Sequence, residues 1–173
     1  MKKIFLAAAT AVFGFTQAQE GFKLGAHMGA PTTGNSPFTL GLDAAYRWNL
    51  AKRFDLGVAT GYSHYIGKSY DYPGGSVKTD DFGFIPVAVS GKYSFSGAPI
   101  AVGLDLGYAI STADNVDGGL YAVPKFMYNM PAGELYVGYQ SISGDNRRYY
   151  NDRPVIGKES VGAVIVGFNF NLK

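Results

Sequence analysis

Between Ile100 and Ile110 the chain reads IAVGLDLGYAI. Large apolar residues take every second position (Ile100, Val102, Leu104, Leu106, Tyr108, Ile110), and Ala101, Gly103, Asp105, Gly107 and Ala109 lie between them. A period of two sends these sets to opposite faces of a β-strand. In a water-soluble antiparallel sheet the second face is polar; here it is nearly bare, with one carboxylate at its centre. The same alternation recurs and predicts eight strands, at about 21–31, 38–48, 54–66, 82–95, 100–110, 119–130, 134–142 and 159–172.

The connections differ in kind. Three are short turns: NLAKR (Asn49 to Arg53), SGAP (Ser96 to Pro99) and PAG (Pro131 to Gly133). The others read as loops: TTGNSP, a long GKSYDYPGGSVKTDD, STADNVDG and a long SGDNRRYYNDRPVIGK. Short turns and both termini at one end, with longer loops at the other, predict an all-β fold: an eight-stranded antiparallel up-and-down transmembrane β-barrel.

Charge is one-sided. One face of the strands collects Leu40, Leu42, Ala44, Tyr46 and Trp48, then Phe54, Leu56, Val58, Thr60 and Tyr62, then Val87, Val89, Tyr93 and Phe95. It continues through the even-numbered residues of the stretch quoted above, Leu135, Val137 and Tyr139, and Val164, Val166, Phe168 and Phe170. No Asp, Glu, Lys or Arg falls on it. The opposite face carries Lys23, His27, Asp43, Arg47, Asp55, Lys92, Asp105, Lys125 and Glu134 among Gly, Ala and Ser. A soluble barrel would turn its apolar face inward, and its outer face would not be so rich in glycine and alanine. A membrane barrel turns the apolar face to lipid and the small and charged residues to a narrow lumen. Asp105 is then inside.

Aromatic residues cluster at strand ends. Trp48, Phe54, Tyr93, Phe95, Phe126, Tyr128, Phe168 and Phe170 lie near the short-turn ends, and Tyr62, Phe82, Phe84, Tyr108 and Tyr121 near the loop ends. Two interfacial girdles are the expectation. Pro86 and Pro124 fall inside strands, where proline loses a ladder hydrogen bond, and predict bulges or late strand starts.

The lumen charges suggest a network. Pairing Trp48 with Phe54 across NLAKR sets Arg47 opposite Asp55; Asp105 should approach Lys125 or Lys92; His27 faces the lumen near Asp43. Four basic residues (Lys23, Arg47, Lys92, Lys125) balance four acidic ones (Asp43, Asp55, Asp105, Glu134), and pairing across so narrow a space would close it to ions. The lumen glycines and alanines point the other way, to a water-lined gap.

Composition narrows the choice. The chain has 24 Gly, 13 Tyr and 12 Phe but only 16% charged residues and a formal net charge of +2; it lacks the basic face a nucleic-acid binder needs. With no cysteine, disulfides, thiol catalysis and Cys-based zinc sites are excluded. MKKIFLAAATAVFGFTQAQE reads as a secretory signal over 1–18: Lys2 and Lys3 precede a short apolar run, and Thr16-Gln17-Ala18 offers a cleavage site. The barrel domain is then 19–173.

The signal segment, the eight strands, FIPVAVSGKYSF and the final VGAVIVGFNFNLK together resemble the small outer-membrane β-barrel family, which includes the OmpA transmembrane domain, OmpX-like and opacity-type proteins. The resemblance covers the whole mature chain and implies an integral outer-membrane location with periplasmic termini. It also implies contact with outer-membrane lipid and lipopolysaccharide, insertion by the outer-membrane assembly machinery, and a monomer. Members often end on an aromatic residue; this chain ends Phe170-Asn171-Leu172-Lys173.

Candidate chemistry is sparse. Some barrels of this size resemble lipid A acyl hydrolases or acyltransferases, which use Ser, His and a carboxylate. Ser63 precedes His64, but neighbours on a strand face opposite ways and cannot pair. His27 near Asp43 reads as a satisfied interior histidine. The aspartates of DYPGG and TDD lack regular ligand spacing, and NRRYYNDR mixes Arg and Tyr as binding surfaces do. The expectation is no catalytic residue, no cofactor and no metal: a non-enzymatic barrel that presents loops and serves envelope integrity or surface contact. A narrow pore or carrier for small or hydrophobic solutes and a lipid A-modifying enzyme remain open alternatives.

Overall fold

A computed structural model of the chain describes residues 21–33, 36–67, 69–72, 75–78, 81–113, 117–150 and 153–172, without the side chains of 69–72, 75–78, 145–150 and 153–159. The signal segment 1–18 and the side chains of NRRYYNDR, DYPGG and most of TDD lie outside the described residues.

Among the described residues there are ten strands: β1 (Phe22–Pro31), β2 (Phe38–Ala51), β3 (Phe54–Ile66), β4 (Ser69–Tyr72), β5 (Gly75–Lys78), β6 (Phe82–Ser94), β7 (Ile100–Ser111), β8 (Gly119–Met130), β9 (Gly133–Tyr150) and β10 (Arg153–Asn171). Eight close a barrel in the order β1-β10-β9-β8-β7-β6-β3-β2, and β4 and β5 form a separate two-stranded ribbon. All pairs are antiparallel, and β1 meets β10 from Lys23↔Asn171 to Pro31↔Ala163. Closure leaves the barrel no free edge.

Period-two alternation makes this an inside-out protein. Outward Leu42, Val87 and Leu120 are 65%, 59% and 64% exposed, while inward Tyr65, Val123 and Ala163 are fully buried. So broad a band of exposed apolar side chains has no place in water. On β7 it runs from Ile100 to Ile110, ten residue steps of about 3.3 Å on a tilted strand, or roughly 25 Å of height. That height matches the apolar thickness a transmembrane barrel must cover.

Four expectations need correction. The two long stretches read as loops are largely strand: β4 and β5 occupy the first, and in the second β9 and β10 stay paired out to Arg153↔Tyr150. Their rungs rest on backbone hydrogen bonds, so they need no apolar alternation and leave no trace of one.

The prolines cause no bulge. The β3–β6 ladder skips the positions opposite Ile85 and Pro86 but keeps one register on both sides (Thr60↔Val87, Ser63↔Phe84). Thr60 Oγ1 donates to the Pro86 carbonyl at 2.7 Å. The β8–β9 ladder passes Pro124 in the same way, with Ala122↔Ser141 and Lys125↔Gly138.

Phe84 and Tyr121 do not belong to an outer girdle. They turn into the lumen, where Phe84 packs edge-on against Tyr65, because Ile85 and Leu120 beside them take the outward positions. Phe82 stacks on Tyr65 at 5.0 Å and completes this inner aromatic layer. The fourth correction, to the pairing of Arg47, concerns the lumen itself.

Candidate functional site: the charged lumen

Glu134 is the second residue of β9, next to the short turn before it, and alternation with outward Leu135 points it inward. Three cations from three other strands converge on it. Lys23 (β1) lies 3.1 Å from Oε1, Lys92 (β6) 2.5 Å from Oε1, and Arg47 (β2) 2.8 Å from Oε2. Each cation has a second anchor: Lys23 donates to Asn171 at 2.6 Å, Lys92 to Asn129 at 2.7 Å, and Arg47 Nε to Ser90 Oγ at 3.1 Å. Arg47, Lys92 and Glu134 are all buried, where a charge is tolerated only when paired and hydrogen-bonded.

A second cluster lies further along the lumen. Lys125 pairs with Asp105 Oδ2 at 2.6 Å, and its ammonium sits 4.7 Å from the centre of the Tyr136 ring. Tyr136 donates to Asp43 Oδ2, and Asp43 Oδ1 lies 3.0 Å from His27 Nδ1. With Nδ1–H given to the carboxylate, His27 Nε2 accepts from Ser63 Oγ at 3.2 Å. Gln140 Nε2 donates to Ser63 Oγ at 3.3 Å and to the Tyr65 hydroxyl at 3.0 Å. Giving Nδ1–H to Asp43 assigns this tautomer to a neutral His27.

Two glycines make these contacts possible. His27, Gly41 and Ser63 lie abreast on β1, β2 and β3. A Cβ at Gly41 would overlap the His27 ring, which crosses that strand to reach Ser63. Gly167 gives the Tyr136 ring the same clearance. These two lumen glycines are seats for rings.

Of the residues singled out in the sequence, Asp105 and Lys125 are brought together, as are Asp43 and His27. Lys92 goes to Glu134. Arg47 and Asp55 are not partners. The turn is tighter than its sequence suggests: Ala51 pairs with Phe54, an irregularity at Leu50 follows, and Trp48 then faces Leu56. Arg47 is opposite Gly57, and Asp55 is opposite Asn49, whose amide donates to it at 2.8 Å. The slip is two residues, so both side chains keep the inward face but stand about 7 Å apart along the strand. The eight short-turn aromatics (Trp48, Phe54, Tyr93, Phe95, Phe126, Tyr128, Phe168, Phe170) are all outward, with edge-on pairs Tyr93–Phe95 and Phe168–Phe170.

The sequence reading missed Glu134 as a hub, and it missed Ser63. It looked for the serine's partner at His64, which faces outward and meets Tyr62 and Asp81. The true partner is His27, two strands away, and the signal was Gly41 between them. Ser63, His27 and Asp43 stand in the order nucleophile, base, orienting carboxylate. Yet Ser63 is 1% exposed and pairs across the ladder with buried Phe84.

No protein-family model and no curated protein matches this sequence. Among solved structures the barrel is similar to Neisserial surface protein A, at a TM-score of 0.54 and 21% identity, over 88% of this chain and 97% of that one. The chain has the fold of the small outer-membrane β-barrels. A second such barrel, the outer membrane protein Ail of Yersinia pestis, in a phospholipid bilayer nanodisc, aligns at 0.47 and 13% identity over 87% of this chain and 100% of that one. The outer membrane protease OmpT of Escherichia coli aligns at 0.36 and 11%, over 78% and 65%.

Proposed function

We propose that this protein is an integral outer-membrane barrel, closed to ions and non-enzymatic, which holds the β4–β5 and β9–β10 hairpins outside the cell. The termini and short turns are periplasmic, the apolar belt meets outer-membrane lipid and lipopolysaccharide, the assembly machinery inserts the chain, and it works as a monomer. The observation that carries this reading is the convergence of Lys23, Arg47 and Lys92 on Glu134, which ties side chains from four strands together across the lumen. Its role is envelope integrity or surface contact through the hairpins.

The test is planar-bilayer conductance of the refolded barrel. No steady open-channel current is expected; a steady current in the wild type, unchanged in Arg47→Ala, overturns the closure and makes the protein a narrow pore. Protease added to intact cells should cut within 67–81 or 143–158, where the chain leaves the barrel. Cleavage confined to Asn49–Arg53 would invert the orientation.

The Ser63–His27–Asp43 geometry favours a second reading, a lipid-modifying hydrolase. A fluorophosphonate probe decides between them. No adduct on Ser63 of the folded barrel is expected, because burial keeps the probe out. A Ser63 adduct that disappears in His27→Ala would establish the enzyme.

A further inference from the structure

We propose that the outer wall of the barrel carries a seat for one acyl chain of a phospholipid from the periplasmic leaflet, centred on Gly91. Gly91 is on the outward side of β6, between Val89 and Tyr93. Leu56 of β3 and Leu104 of β7 stand directly beside it across the two ladders. All four neighbours are large, and glycine in a strand interior weakens the strand, so its place there needs a reason. Close packing within the chain is not that reason. Apart from its chain neighbours, a Cβ at Gly91 would come no nearer than 3.9 Å to any atom. The notch opens into a groove of about 400 Å³ on the outer surface, which runs from Phe54, Tyr93 and Val102 to Val89 and Leu106.

Shape and depth select the occupant. The groove follows β6 for four residue steps, from Tyr93 to Val89, or roughly 13 Å. It is recessed in a convex wall. Two barrels touch along a line, so a second copy can send little more than one side chain into it, whereas a flexible hydrocarbon chain fills it lengthwise. The outward residues that line it are aliphatic or aromatic, and they belong to the belt read above as facing lipid; the proposal rests on that reading. The Phe54–Tyr93 end lies at the short-turn girdle, the interface where chains of the periplasmic leaflet begin. A chain entering there passes Tyr93 and Val102 first and carries its terminal methyl toward Leu106. With Gly91 as floor and Leu56 and Leu104 as walls, it is held on three sides and exchanges more slowly than lipid lying against the rest of the belt.

The test is solution NMR of the methyl-labelled, otherwise deuterated barrel in nanodiscs of dimyristoylphosphatidylcholine, read as Overhauser contacts between protein methyls and acyl chains. The Leu56 and Leu104 methyls should show chain contacts severalfold stronger than those of Val137, an outward residue of β9 that is as exposed as Leu104, at 43%. Val102 should meet methylenes near the ester, and Leu106 the terminal methyl. Gly91→Val should bring Leu56 and Leu104 down to the level of Val137, and the milder Gly91→Ala should do so in part, both with the barrel still folded. Contacts of equal strength at Leu56, Leu104 and Val137 in the wild type would remove the seat and leave the membrane reading standing; no chain contact even at Val137 would sink both. A reversed order at Val102 and Leu106 would assign the chain to the opposite leaflet. Contacts from Leu104 to the methyls of a second, differently labelled copy would make the groove a dimer surface. Either result would overturn the proposal.

Discussion

Glu134→Gln should lower the stability of the barrel by about 3–5 kcal/mol, the usual consequence of removing one partner from a buried ionic group. The substitution keeps the shape of the side chain and most of its hydrogen bonds. It removes the one negative charge that faces Lys23, Arg47 and Lys92, two of which are as buried as Glu134 itself. Three cations would share a narrow space without a carboxylate, and their mutual repulsion adds to the lost attraction. Reversible urea unfolding of the barrel in phospholipid vesicles gives the number directly. Removing a cation instead, as in Lys23→Met, should cost much less, because Glu134 keeps two partners and Lys23 is the most exposed of the three. If Glu134→Gln unfolds at the wild-type urea concentration, the three contacts are incidental.

Leu106→Arg should cost about 2–4 kcal/mol, and Leu120→Arg about 0–1 kcal/mol, by the same measurement. Both leucines are outward and exposed, at 48% and 64%. On the surface of a water-soluble protein neither change would matter by more than about 0.5 kcal/mol. The membrane reading makes depth decisive. Leu106 is in the middle of β7, near the centre of the apolar belt, whereas Leu120 begins β8 at the loop end. There an arginine can extend to the headgroups. Equal and small effects at both sites would mean that water, not hydrocarbon, bathes this face.

These two substitutions rest on features of unequal legibility. Which face Leu106 occupies could be read from the sequence, because alternation is a parity and parity survives errors of register. The same parity is blind to a slip of two. Arg47 and Asp55 were correctly placed inside and wrongly paired, since a tight turn followed by an irregularity at Leu50 looks like a longer turn in the sequence. The slip left Arg47 free to reach across the lumen to Glu134, a pairing between strands three apart around the barrel that no local pattern encodes. Asp105 and Lys125 sit on adjacent strands, and that pair was within reach of sequence reasoning. The outer halves of β9 and β10 were invisible for another reason: beyond the lipid a ribbon needs no apolar face, so its residues carry turn-like composition while its backbone remains a ladder.

Glu134 is also the point at which assembly becomes self-checking. Its three cations arrive from β1, β2 and β6, and the β1–β10 seam is the final pairing that turns a sheet into a cylinder. An incompletely wrapped sheet holds the carboxylate and its cations on separate arms, each still needing solvent. Only circumferential closure brings them within bonding range. Half-wrapped intermediates therefore gain little from their charges and remain easy to unravel, while the completed cylinder gains all three contacts in one step. The arrangement concentrates cooperativity at the seam, so chains arrested before closure should be the ones that quality-control proteases can still degrade.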